Sequence, residues 1–276
     1  MRRKRDRDRP DVAVVGGGRV GTTLRRAFVA AGRRVVGPAR GGNRLAPAAH
    51  APIVVLALPA PALAGAAARL AAAYDWRGRV VLHTSGASPD ALLSPLRRRG
   101  AAVGRLHPLR SFPGRAAAPD ALRGIWFALS GDTAAIAAGR RLARQVGGKS
   151  FRLRRGEEAA HHLSAVFASN LVVALVAEAE ALAPRLGSSP RTVLRRLGPL
   201  LRGTLREIET GGVARALTGP VARGDAEAIA GQLGLLRGRA REIYRLLSLA
   251  ALDLASPRLS RPRRAAVRRA LRPTPR

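Results

Sequence analysis

The feature that most constrains the fold is the segment DVAVVGGGRVG at residues 11–21. Its first part, Asp11–Val15, is continuously apolar after the opening aspartate, which is typical of a strand buried on both faces of a sheet. After the glycines, apolar residues recur at helical spacing and predict an amphipathic helix that ends near Gly32. The segment therefore predicts a strand, a glycine-rich turn and a helix in direct succession.

The glycines of that turn have the spacing Gly-x-Gly-x-x-Gly. In this context the first glycine permits a tight turn, the second lets a pyrophosphate approach the backbone, and the third lets helix and strand pack closely. Free amides at the start of the helix favour negative charge there. The residues predicted to bind the diphosphate of a dinucleotide are Gly16, Gly18, Arg19, Val20 and Gly21.

Short apolar runs alternate with helical patterns through the first half of the chain. The runs lie at 11–15, 34–37, 53–58, 79–83, 101–106, 125–129 and 150–153, with a helix at 133–146. Alternation of this kind predicts a doubly wound, mostly parallel sheet, which is the Rossmann architecture. After about Arg155 only helical patterns remain, so the second half is predicted to be all-α.

The helical half contains three long patterns. One runs from Glu157 to Ala183, one begins at Ser189 and ends at Gly211, and one begins at Asp225. Their apolar stripes exceed what one small domain buries and predict a homodimer. The chain is thereby divided into a disordered basic arm (1–10), a dinucleotide-binding domain (11–154), a helical substrate and dimerisation domain (155–255) and a disordered basic tail (256–276).

Charge and composition limit the partners and the chemistry. The formal net charge is +33, and all basic residues except Lys4 and Lys149 are arginine, which favours small anionic ligands and weak nonspecific contact of the tails with nucleic acid. The absence of cysteine excludes disulfides and thiolate chemistry, and no metal site is predicted. The apolar stretch Ile53–Ala68 contains two prolines and is interpreted as a strand and a helix rather than a membrane span, and no secretory signal is recognised. A cytoplasmic protein is expected.

The end of the second predicted strand indicates which dinucleotide binds. An NAD enzyme usually carries an acidic residue there, but this chain reads VVGPARGGNR, with Arg40 about twenty residues beyond the glycine turn. An arginine at that point suits a 2′-phosphate through bidentate hydrogen bonds. The predicted cofactor is therefore NADP.

Four further motifs follow in order: HTSGA at 83–87, GRLHPLRSF at 104–112, HHLSAVFASN at 161–170 and ALTGPVARGD at 216–225. With the glycine turn they resemble a family of Rossmann-like proteins with a helical C-terminal domain of formerly unknown function, related to 6-phosphogluconate dehydrogenases and pyrroline-5-carboxylate reductases. Some members are alternative ketopantoate reductases. The resemblance covers about residues 11–250 and implies a C-terminal domain like that of 6-phosphogluconate dehydrogenase.

Two features depart from the related families. The loop after the third strand reads Leu58-Pro59-Ala60 where Val-Pro-Asp is common, although Pro59 is still predicted to contact the cofactor. Ordinary ketopantoate reductases use a lysine beside an asparagine on the first interdomain helix, and this chain has no lysine after Lys149. A ketone reduction here would need another proton donor.

Polar residues at predicted strand ends are the first candidates for the site. Ser85 and Gly86 follow the fourth strand. Ser85 is predicted to bind both the cofactor and the substrate, and Gly86 to bind the substrate; the alternative is that the two residues only cap the next helix. His107 follows the fifth strand and is predicted to be a proton donor or substrate contact, with a structural histidine as the alternative.

The helical half supplies the remaining candidates. His162 and Ser169 are seven residues apart and share a helix face with Asn170 at its edge, so His162 and Asn170 are predicted to be catalytic and Ser169 to bind substrate. His161 is expected at the surface. Thr218 and Arg223 are assigned to substrate binding, and Arg223 is expected to bind the carboxylate of the substrate. The alternative for Arg223 is an ion pair with Asp225 or a contact that stabilises the dimer.

The motifs together predict an NADPH-dependent reductase of a small 2-oxo acid, most specifically of 2-dehydropantoate to pantoate. One alternative keeps the reductase and changes the substrate to a cyclic imine such as pyrroline-5-carboxylate. The other is a non-catalytic protein that senses a dinucleotide or binds nucleic acid, which the scarcity of aromatic residues disfavours.

Overall fold

The computed structural model describes residues 10–39, 50–114 and 117–273. The chain falls into two compact units, residues 1–171 and 172–276. Residues 1–9 of the predicted basic arm (1–10) and the predicted cofactor residue Arg40 lie outside the described residues.

Within the described part of the first unit, seven strands form one sheet in the order β2-β1-β3-β4-β5-β6-β7. Neighbouring strands are parallel except β5 and β6, which are antiparallel. The doubly wound, mostly parallel sheet predicted from the sequence is confirmed. The strands are β1 Val12–Val15, β2 Val35–Ala39, β3 Ile53–Leu56, β4 Val80–His83, β5 Ala102–Pro108, β6 Trp126–Gly131 and β7 Lys149–Arg152.

Helices cover both faces of this sheet. One apolar core, with Leu63, Leu70 and Trp76, lies on one side, and another, with Leu24 and Phe28, lies on the other. Burial on both faces explains why the strands are continuously apolar rather than alternating. The helices of the first unit are α1 Arg19–Ala30, α2 Ala60–Ala73, α3 Ser94–Arg98, α4 Thr133–Gln145 and α5 Glu158–Ala168.

The second unit is helical, as predicted. Its helices are α7 Pro190–Gly211, α8 Val213–Ala216, α9 Gly219–Arg223, α10 Ala226–Gly234, α11 Gly238–Ala255 and α12 Arg261–Ala270, preceded by α6 Asn170–Glu180. Two long helices predicted as continuous are broken. The first is interrupted at Ser169, whose φ of −129° and ψ of −74° are not helical. The second is interrupted between Gly234 and Gly238.

The predicted boundary between the halves at residues 154 and 155 is displaced. Helix α5 belongs with the sheet because His161 makes ring contacts with Phe151 of β7 and His107 of β5. By length and composition alone, the stretch Glu158–Glu180 would suffice to cross a membrane, and none of its most apolar window is buried.

The prediction of a disordered basic tail at 256–276 is wrong for the described residues up to 273. Ser256–Arg258 is a short 3-10 helix and Arg261–Ala270 is the helix α12. Val267 and Leu271 are buried in the core of the second unit, beside Ile229 and Leu252. The tail folds because this apolar pair, four residues apart, lies on one face of the helix and the arginines lie on others. The arginines of the described residues 261–270 would therefore contact nucleic acid from a folded helix.

We therefore expect Leu271→Ala to lower the free energy of unfolding of the second unit by about 2–5 kcal/mol. Leu271 is only 1 % exposed, so its truncation leaves a cavity in a small core. Thermal unfolding followed by calorimetry and circular dichroism measures the loss. Arg272→Ala, at the exposed neighbouring position, is the control and should change stability by about 0.5 kcal/mol or less. Equal stability of Leu271→Ala and wild type would mean that the helix does not pack in solution.

Candidate functional site

The glycine turn after β1 is built as the sequence predicts. Gly16 has a φ of +111°, and a Cβ there would lie 2.1 Å from the carbonyl oxygen of Ala57. A Cβ on Gly21 would lie 1.9 Å from the carbonyl oxygen of Gly16, so any side chain would push α1 away from the turn. Only glycine at these two positions allows β1, the turn and α1 to pack this closely.

Open space remains where a diphosphate would approach. Among the described residues, and apart from its two chain neighbours, no atom lies within 4 Å of the position that a Cβ on Gly18 would take, and Arg19 and Val20 begin α1 directly behind it. The strand order changes direction between β1 and β3, which is where open α/β sheets bind ligands. Pro59 follows β3 at the same edge and is exposed. The described residues of this edge thus fit a dinucleotide.

The loop after β4 is held by its own polar groups. The hydroxyl groups of Ser85 and Ser88 are 2.8 Å apart, and the Ser88 amide donates to Ser85 Oγ at 3.1 Å. Ser85 therefore shapes the loop, and its hydroxyl group already makes two hydrogen bonds within the loop. Gly86 is buried beneath this turn.

A buried arginine of β5 fixes this loop, and sequence reasoning missed it. Arg105 is fully buried and donates to the carbonyl oxygens of Gly86 and Ser88, both at 2.7 Å. Its Nε lies 3.7 Å from Asp90 Oδ1, which is also 2.8 Å from Nε2 of the buried His83. The signal in the sequence was an arginine in the middle of an apolar strand.

The electrostatics of Asp90 fit this network. Burial by itself would raise the pKa of the Asp90 carboxyl, but the hydrogen bond with His83, together with the nearby Ser130 and Arg105, outweighs burial and holds the pKa below its ordinary value. His83 is thereby a structural partner of Asp90. The loop that carries Ser85 and Gly86 is therefore held by the buried Arg105.

A cavity of about 600 Å³ opens beside this loop, and we call it the histidine cavity. The residues that line it come from the end of β5, the segment that follows β5, and α5. They are His107, Pro108, Leu109, Arg110, Ser111, His161, His162, Ser164, Ala165, Val166, Ala168, Ser169 and Asn170. Three of the predicted catalytic residues and one predicted substrate residue therefore share one cavity. Arg110 and Ser111 were not predicted.

Two histidines of the cavity converge on Gly86. A Cβ on Gly86 would lie 2.5 Å from His162 Nδ1 and 2.9 Å from His107 Nε2. The backbone of Gly86 therefore lies where both rings meet, and any larger residue would displace them. His162 Nδ1 is buried and has no hydrogen-bond partner among the described residues.

His107 is held as a neutral imidazole. Its Nδ1 lies 2.9 Å from the carbonyl oxygen of Thr84, and since a carbonyl only accepts, Nδ1 carries the proton. Burial, with the nearby His161, Arg105 and His162, lowers the pKa of His107 to about 4, against the opposing effect of the hydrogen bond to Thr84. Nε2 of His107 is then a hydrogen-bond acceptor at neutral pH, which argues against the prediction that His107 donates the proton.

His161 is not the remote surface residue that the helical pattern predicted. It lines the cavity, and its ring is 6.1 Å from that of His107 and 5.4 Å from that of Phe151. Burial first, then Arg105 and His162, lower the pKa of His161 below its ordinary value. The rings of both consecutive histidines of α5 therefore lie near His107 at the end of β5.

Two predicted substrate residues, Thr218 and Arg223, belong to the second unit. Thr218 is exposed and precedes α9 without a side-chain cap. Arg223 lines a shallow cavity together with Arg258 and Arg263. Asp225 caps α10 by accepting from the amide of Ala228, as predicted, and no ion pair joins it to Arg223 among the described residues. Nor do the described residues contain a cluster of metal-ligating side chains.

Comparison with known families agrees with this arrangement. Residues 38–108 match the model of a Rossmann-like domain, and residues 125–251 match that of a domain of unknown function, DUF2520. No curated protein matches the chain in sequence.

Several solved structures share the fold at low identity. Protein TM1727 from Thermotoga maritima is 23% identical with a TM-score of 0.68, covering 90% of this chain and 99% of that one. A reductive aminase from Aspergillus terreus, in complex with NADPH and ethyl levulinate, is 19% identical with a TM-score of 0.58, covering 95% and 94%. Pyrroline carboxylate reductase from Plasmodium falciparum, with NADP bound, is 10% identical with a TM-score of 0.59, covering 94% and 98%. The chain thus joins a segment that is similar to Rossmann-like domains to a segment that is similar to DUF2520 domains.

Proposed function

We propose that the chain is an NADPH-dependent reductase of a small 2-oxo acid, with 2-dehydropantoate as the first candidate substrate and pantoate as its product. The observation that carries the proposal is the placement of the histidine cavity. β1, β3, β4 and β5 are parallel, so the glycine turn after β1 and His107 at the end of β5 lie at one edge of the sheet. The structural relatives crystallised with NADPH or NADP add support.

Residues of the histidine cavity are assigned the remaining steps of the proposed reduction. NADPH, when bound, supplies the hydride that reduces the carbonyl carbon. In the proposal, His162 gives a proton to the carbonyl oxygen, because His107 presents only a lone pair to the cavity. Asn170 and Ser169, which line the same wall, orient that oxygen. The loop glycine Gly86 leaves room for this assembly.

We expect His162→Ala to lower turnover by about 10²–10⁴-fold, the usual contribution of a general acid, while NADPH affinity changes little. Single-turnover oxidation of NADPH with 2-dehydropantoate measures the first quantity, and fluorescence titration of NADPH measures the second. Ser188→Ala, in the second unit, is a control that should keep wild-type rates. If His162→Ala keeps both the wild-type rate and its pH profile, the proton comes from elsewhere.

The same titration tests the cofactor. NADPH is expected to bind more tightly than NADH, because no acidic residue stands near the end of β2 to hold a ribose hydroxyl. Arg40→Ala is expected to reduce this difference in affinity, because Arg40 is predicted to bind the 2′-phosphate. Equal affinity of the wild type for both cofactors would contradict the assignment.

A cyclic imine such as pyrroline-5-carboxylate is the second candidate substrate. The neutral acceptor His107 Nε2 is compatible with it, because the N–H of the reduced ring can donate a hydrogen bond to this atom. NADPH oxidation with each compound in turn decides between them by the ratio of kcat/KM.

We further propose that the second unit forms a homodimer. Val173, Leu175 and Leu247 are 70%, 41% and 47% exposed, and Leu175 and Leu247 line one apolar groove. Large exposed apolar surfaces of this kind mark interfaces.

Light scattering should accordingly report twice the 29.0 kDa chain mass. Leu247→Glu should shift the protein toward monomer, because it places a charge on the apolar groove, whereas Val29→Glu in α1 should not. A wild-type monomer at micromolar concentration would overturn the proposal.

A further inference from the structure

The histidine cavity carries one permanently charged side chain among the residues that line it, Arg110. Its Nη1 donates to the carbonyl oxygen of Ala121 at 2.9 Å. No carboxylate of the described residues forms an ion pair with it. Most of its N–H donors therefore have no partner among the described residues, in a cavity whose other lining residues carry no acid.

The guanidinium group has a fixed support. Ala121 belongs to the 3-10 helix Pro119–Leu122, whose Leu122 is fully buried. Just before this helix, the amide of Ala117 donates to Thr23 Oγ1 of α1 at 3.0 Å. The support of Arg110 is thus joined to the helix that begins at the glycine turn.

A second polar group completes the pattern. His107 lies three residues before Arg110, lines the same cavity, and offers the lone pair of Nε2. The exposed cation of Arg110 and the neutral acceptor of His107 are complemented by a ligand that carries an anion and, close to it, a hydrogen-bond donor.

We propose that Arg110 binds the carboxylate of the ligand and that His107 Nε2 accepts a hydrogen bond from a hydroxyl or amine of the same molecule. The cavity then selects small hydroxy or amino acids, which are the reduced form of the substrate class. This inference rests on the proposed function and assigns to Arg110 the role that sequence reasoning gave to Arg223. It follows that the reduced acid binds more tightly than the oxo acid, which has no donor at C2 beside the carboxylate.

Calorimetric titration of the full chain tests this without turnover. The probes are pantoate, its amide, which lacks the charge, and its 2-methoxy analogue, which lacks the hydroxyl donor at C2. Pantoate should bind best. Arg110→Gln should weaken pantoate binding on the order of 10- to 100-fold and leave binding of the amide unchanged. The reason is that only the carboxylate of pantoate, and not the neutral amide, forms charge-assisted hydrogen bonds with Arg110. The control Arg98→Gln replaces an exposed arginine of α3 and should bind pantoate as the wild type does.

Several outcomes overturn the inference: no binding of pantoate by the wild type, equal binding of pantoate and its amide or methoxy analogue, unchanged binding by Arg110→Gln, or an equal loss in Arg98→Gln, which would indicate a diffuse charge effect. A different result would contradict the proposed function alone: pantoate binding that depends on Arg110, in a protein that neither binds nor oxidises NADPH.

Discussion

Gly86→Ala is expected to lower turnover by about 10²-fold or more, because a single methyl group displaces two imidazole rings at once. The added Cβ would lie 2.5 Å from His162 Nδ1 and 2.8 Å from His107 Cε1, distances at which real Cβ atoms are not found. Gly86 is buried and its carbonyl oxygen is held by Arg105, so the loop cannot easily retreat. The rings must move instead, and the proton donor moves with them.

The expected signature is a lower rate of NADPH oxidation in single turnover with little change in NADPH affinity, because the glycine turn after β1 is untouched. Gly65→Ala is the matched control. It makes the same chemical change in α2, where the nearest atom is the flexible end of Arg69 at 3.4 Å, and it should retain the wild-type rate. Wild-type turnover in Gly86→Ala would show that catalysis does not depend on the positions of His107 and His162 beside Gly86.

Arg105→Met should lower the free energy of unfolding of the first unit by about 3–5 kcal/mol, as expected when one partner of a buried charged network is removed. Arg105 is fully buried, and its loss leaves the carbonyl oxygens of Gly86 and Ser88 without their donors. Asp90 loses a cation 3.7 Å away while it remains largely buried.

Both tryptophans, Trp76 and Trp126, lie in the first unit, so their fluorescence during urea unfolding follows that unit specifically. Arg97→Met is the control, because the Arg97–Asp132 pair is 44% and 36% exposed and surface pairs contribute at most about 1 kcal/mol. The double variant Arg105→Met with Asp90→Asn should cost less than the sum of the single changes. A loss of less than about 1 kcal/mol in Arg105→Met would refute the supporting role of the network.

Much of the first unit could be predicted because its signals are local. The strand positions follow from apolar runs that a sheet covered on both faces requires, and Gly16 and Gly21 follow from the turn that joins β1 to α1. The break at Ser169 could not be predicted, since apolar residues continue at helical spacing on both sides of it. The tail was misjudged for the opposite reason: charge dominates its composition, while Val267 and Leu271 decide that it folds.

By itself the sequence determined the doubly wound sheet, the glycine turn and the presence of His107, His162, Ser169 and Asn170 on elements that end near one another. These follow from periodicity and from backbone rules that act within a few residues. Only the tertiary structure decided that Gly86 lies against two histidines, that Arg105 holds its loop, and that Arg110 shares the cavity. Such contacts join residues far apart in the chain, and their burial and protonation depend on the packing of strands and helices that no local pattern encodes.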